Sequence, residues 1–465
     1  MEANIRTPRA RGATLSFSAA VERLRTGLRG GVLLPGGDGY EAARRVWNGL
    51  VDKRPAAILL CASGEDVAEA VNVARESGLT VAVRGGGHSI AGASVCDGGL
   101  VIDLSRMKAV QVDPERRTVR AEPGLTLGEF DTATQAHGLA TTMGINSTTG
   151  IAGLTLGGGL GRLGRRHGLA CDNLLAAEMV LADGRIVTVS AAENPDLFWA
   201  IRGGGGNFGI ATALTYSLHP IGPQILGGLL LHDFARAREV LRFYRDFSAA
   251  APDEVSADAV FLSTPEGQRL VAISACYVGP VEQGGNALRS LRAFGPPVKD
   301  LIAPVAYTAL QASADPLFTR GRRYYWKAQF LKQVSDAAID AMTDGFASAT
   351  SPLSLAVLQQ VGGAIARVDA DATPYGNRDA AYDCFPAAIW EDPTEDERHI
   401  AWARAFWEAM RPFATGGVYA NNLGEEGEER VRAAYGANYA RLAALKAKYD
   451  PDNLFRLNQN IRPAG

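Results

Sequence analysis

The chain has 465 residues, 47% of them hydrophobic and 21% charged, an ordinary balance for a globular protein. That length can bury a large core without disulfides or metals as staples, and two or three domains are expected. A formal net charge of -3 at pH 7 excludes a general nucleic-acid binder, because phosphate contacts need a surplus of Lys and Arg.

Residues 56–61 (Ala-Ala-Ile-Leu-Leu-Cys) read as a short buried strand. Ser63 is placed to cap a helix, with Asp66 three residues on, an apolar periodic run through Val67, Ala70, Val71, Val73 and Ala74, and Gly78 to end it. Residues 80–83 give the next strand, a glycine loop follows over 84–89, and residues 100–104 give another strand. Glycine dominates 144–168 and returns at 203–209. From about residue 223 the texture changes. Helical periodicities at 235–247, 337–347 and 397–410 alternate with strand-like runs at 270–278 and 356–361, which suggests a separate domain whose sheet carries helices. The closing stretch, 449–461, is polar and Asn-rich, and its aromatic and apolar residues suggest that it is tied down rather than frayed.

The five cysteines, Cys61, Cys96, Cys171, Cys276 and Cys384, are scattered and form no CxxC pair. They offer neither a disulfide framework nor a zinc site, and they suit a reducing compartment. No apolar run approaches the roughly 20 residues that span a bilayer, and residues 1–20 show no leader segment. A cytoplasmic location without a membrane partner is expected. His137, His167, His219, His232 and His399 show no metal-ligand spacing, so no metal is expected. The acidic run Glu425, Glu426, Glu428 and Glu429 reads as a solvated helix start.

The loop Arg84, Gly85, Gly86, Gly87, His88, Ser89 carries the first chemistry. Glycines after a strand let the backbone approach a ligand, and successive N–H groups make a concave anion site suited to a pyrophosphate, with Arg84 able to add charge. A tight turn holding a core histidine accounts for the same residues. A neutral imidazole at His88 is a good nucleophile toward a bound cofactor; a hydrogen-bonded turn cap is the plainer reading. Gly159, Gly161 and Gly164 match GxGxxG, with Glu178 near the distance of an acidic partner. The preceding stretch is rich in glycine and threonine instead of strand-forming, which argues against a Rossmann unit.

Four stretches, in order, resemble the FAD-linked oxidases of the berberine bridge enzyme type, within the vanillyl-alcohol oxidase fold. They are Val-Arg-Gly-Gly-Gly-His-Ser at 83–89, Gly-Ile-Ala-Gly-Leu-Thr-Leu-Gly-Gly-Gly-Leu-Gly at 150–161, Asn-Pro-Asp-Leu-Phe-Trp-Ala-Ile-Arg-Gly-Gly-Gly-Gly-Asn-Phe-Gly-Ile at 194–210, and the tail 449–461. The resemblance implies an α+β fold: a two-part PCMH-type FAD-binding domain (1–222, core 53–222, rejoined by 416–465) with an inserted substrate domain at 223–415, an antiparallel sheet with helices. It implies FAD bonded through His88 to the flavin 8α carbon, a pyrophosphate cradle of Arg84, Gly85, Gly86, Gly87 and Ser89, and further cofactor contacts from Asn146, Thr148, Gly150, Gly153, Gly158, Asn207, Gly209, Ile210, Asn458 and Asn460.

Many relatives carry a second link from a cysteine, but the aligned segment is Gly-Ile-Asn-Ser-Thr-Thr-Gly at 144–150. Asn146 cannot form a thioether, so one covalent bond is expected. Thr149 falls where the family gates oxygen beside flavin N5, and Tyr419, in Tyr-x-Asn, falls where it places a base; Asn422 replaces the histidine some members have next. A phenol with a pKa of about 10 needs a donor or cation beside it to act as a base near neutral pH. Gln360, Tyr382 and Asp383 lie in segments that face the flavin in relatives, with structural roles as the alternative. The implied reaction is hydride transfer from a small organic substrate (natural-product intermediate, alcohol, amine or sugar) to flavin N5, with O2 as acceptor. A dehydrogenase with another acceptor, or a silent flavin-binding protein, are the competing readings.

Overall fold

The buried run at 57–60 sets the first layer of the computed structural model, which describes residues 15–465. The expectation about a leader falls mostly on residues outside that range. Ala57–Leu60 and Val81–Arg84 both run parallel to Leu100–Asp103 between them, and Val32–Leu33 pairs antiparallel at the edge. The connecting helix is Gly64–Ser77. Ser63 Oγ accepts from the Asp66 N–H at 3.3 Å, and Gly78 ends the helix in the left-handed region at φ 67°, as the capping residues anticipate.

A second sheet of five antiparallel strands orders Val110–Asp113, Thr118–Ala121, Ile210–Ser217, Leu174–Val180 and Ile186–Ser190. The GxGxxG stretch is no part of a strand-to-helix crossover. It follows the short helix Ile151–Leu156 and leads into a single turn, Gly164–His167.

The third sheet has nine strands, drawn from residues 224–390, and every pairing in it is antiparallel. Its two faces differ. Strands Leu355–Gln360 and Tyr382–Trp390 turn Ala356, Leu358, Tyr382, Cys384, Ala388 and Trp390 toward helices Ala237–Ala250, Asp336–Ala347 and Asp396–Met410. The alternate residues Leu355, Val357, Ala387 and Ile389 pack with Trp47, Ile90 and Tyr324 on the opposite face. Period-two alternation therefore decides which side chains face the first half of the chain.

The tail returns to the glycine run at 203–209. Lys446, in helix Tyr439–Tyr449, forms a fully buried ion pair with Asp450. Its ammonium also donates to the carbonyls of Asn207 at 2.7 Å and Phe455 at 3.0 Å, while Asp450 accepts from the N–H groups of Leu454 and Phe455. Asn207 Oδ1 then accepts from the Ile461 N–H at 2.9 Å.

Candidate active site and cofactor cradle

Between the two halves lies a cavity of about 380 Å³, within the range of small-molecule sites. Gly85, Gly86, Gly87, His88, Ser89, Asn146, Thr149, Gly150, Gly153, Gly209, Ile210, Tyr419 and Asn458 line it, so the glycine segments anticipated from the sequence converge. No Asp, Glu, Lys or Arg is among the lining residues.

Backbone makes the cradle. Among the described residues, the N–H groups of residues 85–89 donate to no protein acceptor. Gly87 has φ +71°, which a side chain disfavours. A Cβ on Gly86 would stand 2.7 Å from Gly150 Cα and closer still to its nitrogen. Only glycine lets these two loops touch.

His88 stacks on Trp47 with ring centroids 4.8 Å apart. Its Nε2 lies 2.8 Å from Thr148 Oγ1 and its Nδ1 3.4 Å from Thr149 Oγ1. Burial, with the Arg320 guanidinium second, pushes the imidazole down to about 3, so it is neutral at physiological pH.

Opposite the loop, the Tyr419 hydroxyl accepts from the N–H of Gly159 at 2.9 Å, the N–H of Leu160 at 3.4 Å and Asn421 Nδ2 at 2.7 Å. Burial outweighs these donors and pushes the phenol up to about 12. Behind the cavity, Asn422 Nδ2 donates to Asp383 Oδ2 at 2.6 Å. Burial, opposed by that amide, pushes the Asp383 carboxyl up to about 7.

Several expected contacts fall elsewhere. Arg84 is turned away by strand alternation: Val81 and Val83 face the cavity, whereas the Arg84 guanidinium is buried against Asp103 and the Ala43 carbonyl. It adds no charge to the cradle. Gln360 points to the helix-bearing face, where its side chain accepts from the Ala257 N–H at 3.0 Å and donates to the Ser248 carbonyl at 2.6 Å. Its neighbour Gln359 lines the cavity instead. Tyr382 shares that helix-bearing face, its hydroxyl 2.7 Å from Ser248 Oγ. The Asn207 side chain is consumed in tying the glycine run to the tail. Gly158 packs beneath Tyr375 and Tyr419, Thr148 reaches the site only through His88, and Asn460 lies off the lining while Asn458 and Gln459 are on it.

Sequence reasoning missed the aromatic wall. Trp326 lies between Trp47, 6.0 Å away, and Phe385, 6.1 Å away, with Phe318 beside them on the lining. These residues come from four separate segments, and no local pattern joins them. It also missed Ser94 and the Trp326 indole N–H, both buried without a protein partner.

The site suits a flavin dinucleotide. The unpaired amide donors of residues 85–89 would hold a pyrophosphate, whose charge no charged side chain on the lining is placed to neutralise. The unpartnered Ser94 Oγ and Asn458 Oδ1 supply further polar contacts on the lining. Comparison with known proteins agrees. Residues 55–190 match the model of an FAD binding domain, and residues 418–462 match the model described as berberine and berberine like. An FAD-linked oxidoreductase of Dictyostelium discoideum is 33% identical over 441 residues, covering 94% of this chain and 95% of that protein. The (R)-6-hydroxynicotine oxidase of Paenarthrobacter nicotinovorans is 31% identical over 459 residues, covering 94% and 98%. The crystal structure of 6-hydroxy-D-nicotine oxidase from Arthrobacter nicotinovorans superposes with a TM-score of 0.87 at 28% identity, covering 94% of this chain and 98% of that one.

Fold and cradle together define an FAD-linked oxidoreductase. The chain belongs to the berberine bridge enzyme-like family of FAD-linked oxidases. Among the described residues no helix is long and apolar enough to cross a membrane.

Proposed function

We propose that the chain oxidises an uncharged, ring-bearing small molecule by two electrons, with FAD attached through His88 and dioxygen as the final acceptor. The observation that carries this reading is the neutral His88 imidazole, stacked on Trp47 at the mouth of an amide-lined cradle. An unprotonated ring nitrogen is the state that attachment to a carbon requires. No cysteine lines the cavity, so a single link is proposed. When bound, the flavin supplies an acceptor for a hydride from the substrate.

The remaining work belongs to the protein. The amides of residues 85–89 hold the dinucleotide, with Gly150, Gly153, Gly209, Ile210 and Asn458 along its walls. Trp326, Phe318 and Phe385 offer apolar faces to a substrate, while Gln359 and the unpartnered Trp326 N–H offer polar contacts. The absence of charge on the lining favours a neutral ring system, an aromatic or alicyclic alcohol, amine or natural-product intermediate, over an ion. Tyr419 is the proposed proton acceptor: three donors converge on its oxygen and would share the charge of a phenolate. Its raised pKa means that turnover of a hydroxyl substrate should climb with pH through the alkaline range. Thr149, on the lining beside His88, is proposed to control access of oxygen.

The test mixes purified enzyme with a panel of neutral cyclic alcohols and amines without oxygen, then admits air. Bleaching of the yellow colour, followed by peroxide release equal to substrate consumed, supports the oxidase. Bleaching without reoxidation by air would make it a dehydrogenase, and no bleaching by any ligand that binds would leave a silent flavoprotein. Tyr419→Phe should lower kcat by about 10²–10⁴-fold with flavin content unchanged.

A further inference from the structure

The hydrogen bonds around His88 have fixed directions. The Thr148 backbone N–H donates to Asn146 Oδ1 at 3.0 Å, which orients that amide with its oxygen toward Thr148. The Thr148 hydroxyl lies 2.7 Å from the same oxygen. A carbonyl oxygen only accepts, so the hydroxyl spends its single proton there. Its other contact, 2.8 Å from His88 Nε2, must then be one in which it accepts. Nε2 therefore carries the ring proton. Nδ1 keeps its lone pair, and its neighbour Thr149 Oγ1, at 3.4 Å, is left to act as a donor toward it.

We propose that Asn146 and Thr148 are positioning residues: a one-way relay, His88 to Thr148 to Asn146, that locks the histidine in its Nε2–H tautomer and leaves Nδ1 as the nucleophile. Asn146 stands where the resemblance places a cysteine, and in this chain that position serves the histidyl link. This assignment rests on the attachment at His88 proposed above.

The relay matters because the two ring nitrogens cannot both be nucleophilic in a neutral imidazole. Attachment forms one bond, from Nδ1 to the 8α carbon, and breaks one C–H bond at that carbon. The proton leaves to solvent, and the electron pair passes through the ring system to dioxygen, which departs as peroxide. Throughout, Nε2–H stays on Thr148. The positive charge the imidazole gains makes that hydrogen bond a charge-assisted one, and so shorter and stronger. Stacking on Trp47 fixes the plane of the ring, and within that plane the bond from Nε2 to Thr148 Oγ1 at 2.8 Å favours the orientation that leaves Nδ1 free.

Thr148→Val removes the acceptor at nearly constant shape, Thr148→Ser restores it, and Asn146→Leu removes the anchor. Each holoenzyme is assayed for total flavin bound, for the rate at which flavin becomes stable to acid, and for the linked nitrogen. The last is read from nuclear Overhauser contacts in the flavin peptide: an Nδ1 link places the 8α methylene near the histidine β-methylene, an Nε2 link near Hδ2. The relay requires Nδ1 linkage in the wild type, attachment about tenfold slower in Thr148→Val and Asn146→Leu with total flavin retained, and recovery in Thr148→Ser. Wild-type rate and single linkage in Thr148→Val, or Nε2 linkage in the wild type, would overturn it. Wild-type protein without acid-stable flavin contradicts the attachment itself. The relay is then judged on the ring-15N spectrum of the flavin-bound protein, where a protonated Nε2 that is lost in Thr148→Val upholds it and an unprotonated Nε2 refutes it.

Discussion

The two walls of the cavity are built by different means. On the flavin side the work is done by backbone: unpaired N–H groups at residues 85–89 and a contact between Gly86 and Gly150 too close for any side chain. On the sheet side, Gln359, Phe385 and Trp326 work through side chains raised from antiparallel strands. A site made of backbone announces itself, because glycine is compulsory and the glycines must be contiguous. A site made on a sheet is specified by register, and a shift of one residue sends a side chain to the other face.

The first way to break this contrast is to add one methyl group to the backbone wall. Gly86→Ala drives a Cβ into Gly150, with no flexible side chain to yield. Loss of nearly all bound flavin is expected, measured as the ratio of flavin to protein absorbance, with about 1–3 kcal/mol of lost stability. Normal flavin content would show that the loops need not touch.

The tail supports the same wall, and Asp450→Ala tests it. The change leaves the Lys446 ammonium buried without its anion. A cost of about 3–5 kcal/mol is expected in denaturant unfolding, along with weakened flavin retention, because Asn207 and the tail are tied through that lysine.

On the sheet wall, Asp383 gives a pH signature. Burial raises its carboxyl to about 7 in the folded chain, against about 3.9 unfolded. The folded state thus binds the proton more tightly. Its contribution to stability is complete below about pH 4 and is lost as pH rises through 7, on the order of 4 kcal/mol in all. Asp383→Asn should flatten the fall in melting temperature between pH 5 and 8. Asp131, also fully buried and raised to about 7, would leave a residual slope. An unchanged profile would remove Asp383 as its source.

Register is sharpened by a neighbouring pair. Gln360→Leu orphans the buried Ala257 N–H and Ser248 carbonyl and should cost about 1–3 kcal/mol, with KM little altered. Gln359→Leu should do the reverse: near-constant melting temperature and a KM shifted several-fold. Equal effects on both readouts would contradict the assignment of faces.

This contrast also explains what the amino acids disclosed beforehand. The helix between Ser63 and Gly78, the glycine cradle, the position of His88 and the anchoring of the tail were legible, because caps, positive φ and close backbone approach each demand particular residue types locally. Arg84 and Gln360 misled for one reason. Each sits in a strand, one residue from a position that faces the cavity, and the period of two is visible in sequence only when the burial of both faces is known. The wall of Trp47, Phe318, Trp326 and Phe385 depends on tertiary closure across hundreds of residues and left no local trace.

The central claim, that a backbone cradle presents His88 to a flavin it then holds covalently, is tested most directly by acid precipitation of wild-type and His88→Ala protein. Yellow colour that stays with the wild-type pellet, on the peptide containing His88, and passes to the supernatant for the variant is the outcome this account requires. Colour released equally from both proteins would contradict it.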